Sequence, residues 1–505
     1  MRDRMTRREF VGAAGLTAAS LAAGTARAAP KQRPNILFCI TDDQSWLHTG
    51  AYGDKVVQTP AFDRIAREGV RFDHAYCAAP SCTASRGGIL TGQHIWRLEQ
   101  GANLWGTLPA KLPVYPDLLE AAGYHVGTTG KGWGPGNDTA GGRTRNPAGP
   151  AYNKIRCKAP KAIRPYDYAA NFEAFLKERK QGTPFCFWYG AFEPHGPYDN
   201  GIGARSGLKP DDVRVPPFLP DTPGVRSYFL DYYFEIQWAD THLGRMLDAL
   251  EKAGELDNTI VVVTGDNGVP VPRAKCSLYD YGTRMPFVVR WGARCKGGRV
   301  VEDLVSHCDV APTFLEAAGV AVPECMTGRS FLDILLSGKS GRVDPARDHV
   351  LTGREGHVWH YPMRAIRTHQ WLYVRNYEPE RTFQRPESEL PDPLPDDRWE
   401  RARATFNPYG LLIRFRNRPE IRPHFLRAFG KRPAEELYDV RKDPCQLTNL
   451  AAEPAHAEVR ADLAARLTAR LKATADPRET GGPVLFESYT SYRPKKKPKP
   501  KKKTQ

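Results

Sequence analysis

The chain has no apolar run approaching the ~20 residues that a membrane-spanning helix needs, no internal repeat, and no Cys-x-x-Cys pair of the kind that holds zinc. It also lacks a base-stacking or groove-reading motif, so its formal net charge of +16 does not mark a nucleic-acid binder. That charge is unevenly spread. Residues 493–503 carry one Arg and seven Lys, and the first 28 residues carry five Arg against Asp3 and Glu9, which leaves about +5 for the body. Residues 476–505 therefore read as a disordered basic tail, which either holds the protein near a polyanion or only keeps it soluble. The ten cysteines are scattered rather than spaced as a disulfide framework. Cys39 and Cys186 lie in apolar, strand-like runs, where a buried free thiol is the expectation.

What is present begins with a leader. Thr6-Arg7-Arg8-Glu9-Phe10 is a twin-arginine pattern, and a short run of Ala, Gly and Thr follows it up to Ala26-Arg27-Ala28, small at the two positions a signal peptidase reads. No cysteine follows the run, so no lipid anchor is expected. Residues 1–28 are read as a signal peptide for the twin-arginine translocase, giving a periplasmic or secreted protein without a stable membrane anchor.

Strand-like and helix-like stretches then alternate, the signature of an α/β domain over residues 29–345. Asn35-Ile36-Leu37-Phe38-Cys39-Ile40 is a buried-strand run that ends in Asp42-Asp43, and Thr59-Pro60 opens a helix. Cys82 lies in a loop entering a further helix. Apolar runs at 124–129, 185–189, 259–264 and 286–290 read as strands, and residues 225–253 as a long helix at helical period. A Gly/Ser/Arg/Asp stretch at 336–348 reads as a linker to a smaller α+β domain, 346–475, in which 363–367 and 370–376 pair as strands and 458–472 forms an amphipathic helix. Residues 379–397 read as a long surface loop.

Polar clusters fall at the carboxyl ends of these strands, where open α/β sheets place ligands. Asp42 and Asp43 follow the first strand, and Asp266-Asn267 follows the strand at 259–264. Either pair alone is an ordinary turn. Together, three carboxylates and an amide from separate strands suit a hard divalent cation with oxygen ligands.

The ordered set of Asn35 to Asp43, Cys82-Thr83-Ala84-Ser85-Arg86, Gly130-Lys131, Thr264-Gly265-Asp266-Asn267-Gly268 and Lys275 to Pro286 resembles the type I sulfatases of the alkaline-phosphatase superfamily. Glu436-Leu437-Tyr438-Asp439 with Asn449-Leu450 is similar to that family's closing motif. Phe192-Glu193-Pro194-His195, Asp266 to Pro272 and Tyr361-Pro362-Met363-Arg364 are closer to the N-sulfoglucosamine sulfohydrolases, which act on heparan-type saccharides. The resemblance implies a large mixed central sheet flanked by helices, alkaline-phosphatase-like, plus a smaller C-terminal α+β domain with an antiparallel sheet. It implies that a formylglycine-generating enzyme converts Cys82 to formylglycine, whose hydrate attacks sulfur, and that Asp42, Asp43, residue 82, Asp266 and Asn267 hold Ca²⁺. By the same resemblance Arg86 holds the hydrate's oxygen, Lys131 and Lys275 neutralise sulfate oxygens, and His195 is the general acid for the leaving group. Glu355, His357 and His360 stand where sulfamidases contact the sugar.

The sequence departs from the pattern at two places. Ala84 stands where proline is usual, and Lys131-Gly132-Trp133 replaces the common Lys-x-His. Trp133 is open to two roles, stacking on a sugar face or packing in the core. The expected substrate is a sulfated glycan, with the N-sulfate of glucosamine preferred. The alternatives are a carbohydrate O-sulfatase, a phosphoester or phosphonate hydrolase, or a non-catalytic polyanion-binding protein in which Cys82 stays a thiol.

Overall fold

A computed structural model describes residues 33–494. The expected leader and the lysine run at 495–503 lie outside the described residues. Among these residues the chain forms fourteen strands. In chain order they are β1 (Asn35–Thr41), β2 (Val70–Phe72), β3 (Ala75–Tyr76), β4 (His125–Gly130), β5 (Phe185–Gly190), β6 (Thr259–Gly265) and β7 (Arg284–Met285). Then follow β8 (Phe287–Arg290), β9 (Arg299–Val301), β10 (Val305–Ser306), β11 (Val350–Gly356), β12 (His360–Arg367), β13 (Trp371–Asn376) and β14 (Glu435–Asp439).

Seven strands build the main sheet in the order β4-β5-β1-β6-β8-β2-β9. The first four are mutually parallel, and β8 runs antiparallel to both β6 and β2, so the sheet is mixed as expected. Its centre is buried on both faces, which is why β1 reads as an unbroken apolar run. Ile36, Phe38 and Ile40 point into one core, and Leu37 and Cys39 point into the other beside the long helix Pro223–Lys252. None of the ten cysteines is in a disulfide.

The second sheet, β11-β12-β13-β14, is antiparallel throughout. Pleat alternation splits its side chains. Tyr361, Met363 and Ala365 join a local cluster with Leu278 and Tyr279, while Ile366 and Tyr373 face Leu463, Leu467 and Leu471 of the helix Ala457–Ala473. Arg364 lies on the Ile366 face and is fully buried. Its Nε donates to Asp476 Oδ2 at 2.6 Å and its NH2 to Glu355 Oε1 at 2.6 Å. Asp476 was expected to begin a disordered tail. Instead residues 476–494 belong to the fold: Asp476 is buried with Arg364, Pro477–Thr480 is helical, and Phe486 is 3 % exposed. Three helices, Trp399–Thr405, Pro408–Arg414 and Arg422–Phe429, follow the expected surface loop and were not read from the sequence.

The long helix carries three buried acids. Asp231 accepts from the N–H groups of Gly201 and Gly203, and Asp240 accepts from Ala61 and Phe62 at the start of the helix Pro60–Glu68. The carboxyl of Glu235, a residue 3 % exposed between them, forms no ion pair among the described residues. Burial, then the neighbouring Glu193 and Asp231, push its carboxyl up to about 9.

Two outcomes are expected. Arg364→Met leaves Asp476 and one oxygen of Glu355 without their buried cation and should lower unfolding free energy in urea by about 3–5 kcal/mol. Glu235 has a folded-state pKa above its unfolded one, so the stability it supports is present below pH ~4 and is lost as pH rises through about 9. Glu235→Gln should therefore flatten the fall of stability between pH 5 and pH 8, by on the order of 3 kcal/mol in a denaturation series. Parallel wild-type and variant curves would contradict this.

Candidate active site

Parallel pairing sets the four inner strands in register, with Ile40 opposite Gly190, Thr41 opposite Gly265, and Gly130 opposite Gly190. Their carboxyl ends therefore share one edge. Past that edge come Asp42-Asp43 from β1, Lys131 from β4, Glu193 and His195 from β5, and Asp266-Asn267 from β6. Two glycines let β4 and β5 close up there. A Cβ on Gly190 would fall 1.8 Å from the Lys131 carbonyl oxygen, and one on Gly130, which has a positive φ of 76°, would fall 2.0 Å from that of Gly190. Asp43 also takes a left-handed φ of 73°, and its N–H donates to Asp266 Oδ1 at 3.0 Å, which ties the turn after β1 to the end of β6.

Cys82 enters this edge as the first residue of the helix Cys82–Thr91 and is 2 % exposed. Its Sγ lies 3.2 Å from Asp42 Oδ1, 3.8 Å from Asp43 Oδ1 and 3.5 Å from Asn267 Nδ2. The ligand atoms of Asp42, Asp43, Cys82 and Asp266 all fall within 4.8 Å of one another. Oxygens about 2.3–2.6 Å from a Ca²⁺ span that distance across the ion. Asn267 Nδ2 donates to Asp266 Oδ1, whereas Asn267 Oδ1 is buried without a partner. An orphaned amide oxygen beside three carboxylates is a donor set that fits a hard divalent cation.

Cations surround the carboxylates. Lys131 Nζ reaches Asp42 Oδ2 at 2.5 Å, Lys275 Nζ reaches Asp43 Oδ2 at 2.6 Å, and Arg86 Nε reaches Asp266 Oδ2 at 2.7 Å. Arg86 is fully buried, and its NH1 donates to the carbonyls of Lys131 and Gly132. Its NH2 makes no hydrogen bond and lies 4.0 Å from Asp42. Burial acts to raise Asp42, but Lys131, His195 and Arg86 outweigh it and hold that carboxyl well below the usual range. Burial also opposes the charge on Lys275, and there Asp43 overrules it, so the ammonium is held well above its ordinary value. Burial, and next Asp42, push the Cys82 thiol well up. As a thiol, Cys82 is protonated at neutral pH and a poor nucleophile.

The cluster opens into a cleft of about 890 Å³, lined by Asp42, Cys82, Lys131, His195, Lys275 and His357 among others. His195 is half-exposed. Its Nδ1 donates to the Gly196 carbonyl at 2.7 Å, which leaves Nε2, 3.8 Å from Asp43 Oδ2, facing the cluster. His357 is partly buried; burial, then Lys275 and Arg354, lower its pKa well below the ordinary value, so it is a neutral imidazole. Of the residues expected from the sequence, Asp42, Asp43, Cys82, Arg86, Lys131, Lys275, His195, Asp266, Asn267 and His357 converge here.

Others do not. Glu355, expected at the sugar, is 2 % exposed and grips Arg364 and both donors of Arg478 at 3.0 and 2.7 Å, so it has no free oxygen to offer. His360 opens β12 next to Gly356 and is not part of the cleft wall. Trp133 borders the cleft but is 3 % exposed, with its indole N–H donating to the Thr83 carbonyl at 3.1 Å, so core packing is its role. Wall residues missed from sequence include Glu193, pushed up to about 7 by burial, Glu235 and Arg164. Glu193 stands inside a quoted motif; Glu235 gives no signal on a helix face rich in apolar residues.

A family model described as Sulfatase matches residues 34–320, and one described as N-sulphoglucosamine sulphohydrolase, C-terminal, matches residues 274–384. The chain is 28 % identical over 458 residues to an ulvan-active sulfatase of Formosa agariphila, covering 88 % of this chain and 81 % of that protein. It is 27 % identical over 483 residues to human N-sulphoglucosamine sulphohydrolase, covering 87 % and 89 % respectively. The solved structure of BT4656 in complex with its substrate D-glucosamine-2-N,6-O-disulfate superposes with a TM-score of 0.65 at 21 % identity, over 88 % of this chain and 98 % of that one. At that identity the superposition speaks for the fold, an alkaline-phosphatase-like sheet with a C-terminal antiparallel sheet. With the family model matched over more than half of its length, the chain belongs to the sulfatase family and is a hydrolase of sulfuric esters.

Proposed function

We propose that this enzyme releases sulfate from a sulfated glycan through a formylglycine made at Cys82, with Ca²⁺ held by Asp42, Asp43, Asp266, Asn267 and residue 82, and that its preferred bond is the N-sulfate of glucosamine. The observation that carries the reading is Cys82 itself: buried at a helix N-terminus, ringed by three carboxylates and an orphaned amide oxygen, yet protonated and inert as a thiol. The formylglycine hydrate would supply the nucleophilic oxygen and the metal would supply Lewis acidity toward a sulfate oxygen.

The chain's own residues then have distinct tasks. Arg86, fixed by Asp266 and two carbonyls, keeps its unpaired NH2 4.0 Å from Asp42 Oδ1, the oxygen that lies beside residue 82. Lys131 and Lys275 reach the cluster from separate segments of chain and are placed to meet sulfate oxygens as negative charge shifts among them. The Gly196 carbonyl orients the His195 ring, so Nε2 is the atom that hands a proton to the leaving nitrogen or oxygen. His357, the neutral imidazole in the same cleft, would accept a hydrogen bond from the substrate or the hydrate. The N-sulfate preference is supported by the match over residues 274–384 and by the human relative. The export leader implies maturation before translocation, with the modifying enzyme and the twin-arginine translocase as transient partners.

Mass spectrometry of the Cys82 peptide from the native protein should show the aldehyde, and Cys82→Ala should reduce turnover by on the order of 10⁴-fold or more. A thiol at Cys82 in fully active enzyme would defeat the reading. Sulfate release from N-sulfoglucosamine should exceed that from 6-O-sulfated N-acetylglucosamine; cleavage of the O-sulfate alone would assign an O-sulfatase. His195→Ala should cost about 10²–10³ in kcat for a sugar leaving group and far less for an aryl sulfate, whose leaving group needs no proton. Equal losses on both would remove His195 from the role of acid.

A further inference from the structure

One wall of the cleft is the loop between β4 and the helix Tyr168–Glu178. Over residues 151–166 it carries Lys154, Arg156, Lys158, Lys161 and Arg164 and no acidic residue. The segment folds as an irregular hairpin. Arg156 bridges Tyr166 antiparallel, and the N–H groups of Cys157 and Asp167 donate to the carbonyls of Pro165 and Ile155. All five cations are exposed. The hairpin tip reaches the site, because Ala162, Ile163 and Arg164 line the cleft.

Aromatic faces, not carboxylates, hold the two arginines. Tyr166 and Phe192 stack with centroids 5.9 Å apart and planes 16° from parallel. The Arg156 guanidinium lies 4.1 Å from the Tyr166 centroid and that of Arg164 lies 5.3 Å from the Phe192 centroid. Stacking fixes the plane of each guanidinium and leaves its N–H edges free for planar acceptors. Among the described residues, of the five cationic side chains only that of Lys161 meets a carboxylate, Asp199 at 3.6 Å, and Asp199 is already held by Arg205 at 2.6 Å; Arg164 gives only its backbone N–H to Glu193, at 3.3 Å. Some other exposed arginines do meet carboxylates: Arg205 and Arg381, for example, each touch one at 2.7 Å or less. Like charges gathered on one short hairpin repel one another, and a polyanion relieves that repulsion.

We propose that this hairpin is a binding surface for the saccharide chain that continues beyond the reacting sugar, and that it recognises sulfate or carboxylate groups on neighbouring residues of a polyanionic glycan. The proposal rests on the sulfated-glycan reading and extends it: the preferred substrate is a charged chain rather than an isolated sugar. Arg164 at the cleft mouth would meet the first neighbouring anion, with Arg156, Lys154 and Lys158 further along the hairpin.

The test uses the full-length protein, so that residues 495–503 contribute equally throughout. The variant combines Lys154→Gln, Arg156→Gln and Lys158→Gln, none of which lines the cleft, and a melting curve checks its fold. With wild type, KM should fall at least tenfold from a sulfated glucosamine monosaccharide to a heparin-derived dodecasaccharide. The triple variant should lose most of that gain while keeping kcat on the dodecasaccharide, and the slope of log KM against log salt should become shallower by about one for each cation removed. Direct binding of the same dodecasaccharide to Cys82→Ala protein, with and without the triple change, gives a readout that needs no turnover. A non-sulfated polyuronate of equal length tells carboxylate from sulfate recognition. If the monosaccharide is cleaved but chain binding is indifferent to the triple change, the surface is refuted and the catalytic reading stands. If hairpin-dependent binding is found but none of these sulfates is cleaved, the surface stands and the substrate assignment fails.

Discussion

Everything at the sheet edge depends on making three buried carboxylates tolerable within a few ångströms of one another. Left alone, Asp42, Asp43 and Asp266 would repel and would shed their charge by taking up protons. Each instead receives its own cation, Lys131, Lys275 and Arg86 respectively, and every one of those cations comes from a different segment of chain. The arrangement links β1, β4, β6, the Cys82 helix and the loop after β6 through charge, and the register of the parallel strands is what lets the charges meet. The same pairing keeps the lysine ammonium groups protonated at the wall of the cleft, so under the proposed function the groups that stabilise the cluster would also be the ones to receive the sulfate.

The convergence of Asp42, Asp43, Cys82, Asp266 and Asn267 was legible because each belongs to a compact run: a strand and its first residues past the end, or a helix and its first turn. Asp42-Asp43, Cys82 to Arg86 and Asp266-Asn267 carry their geometry in the local sequence, and parallel pairing does the rest. Glu355 shows what such reading cannot see. It is close in sequence to His357, a true cleft residue, yet its side chain turns the other way and meets Arg364 and Arg478, the latter 123 positions along the chain. Arg364 sits in a motif shared with sulfamidases, but the structure gives it a packing task, joining the second sheet to residues 476–480. Composition alone misplaced those residues in a tail, because the lysine-rich end dominates the average while Asp476 and Phe486 supply the anchors. The helices between 399 and 429 escaped notice because they are short and follow a proline-rich stretch whose character masks their apolar faces.

Trp133 illustrates how a substitution in a motif redistributes work. With the indole tied to Thr83, the backbone just behind residue 82 is braced by an aromatic ring instead of being faced by a histidine. Two imidazoles line the cleft: His357 is kept neutral by its burial and by cations, while His195 is half-exposed and oriented by a carbonyl. The cleft thus contains one ring suited to accepting a hydrogen bond and another suited to exchanging a proton.

The burial of Cys82 sets an order of events in the life of the molecule. At 2 % exposure, and already inside the first turn of a helix packed against the sheet edge, its side chain is nearly closed off at the wall of the cleft. A modifying enzyme whose own site cannot enter the cleft would have to meet this stretch as an extended peptide, before the strands on either side have assembled. If Cys82 is converted as proposed, modification and folding would compete for the same few residues, and a chain that folded first would keep its thiol. Active yield would be governed by relative rates during biogenesis, so a variant that slows closure around Cys82 could raise specific activity without touching the site.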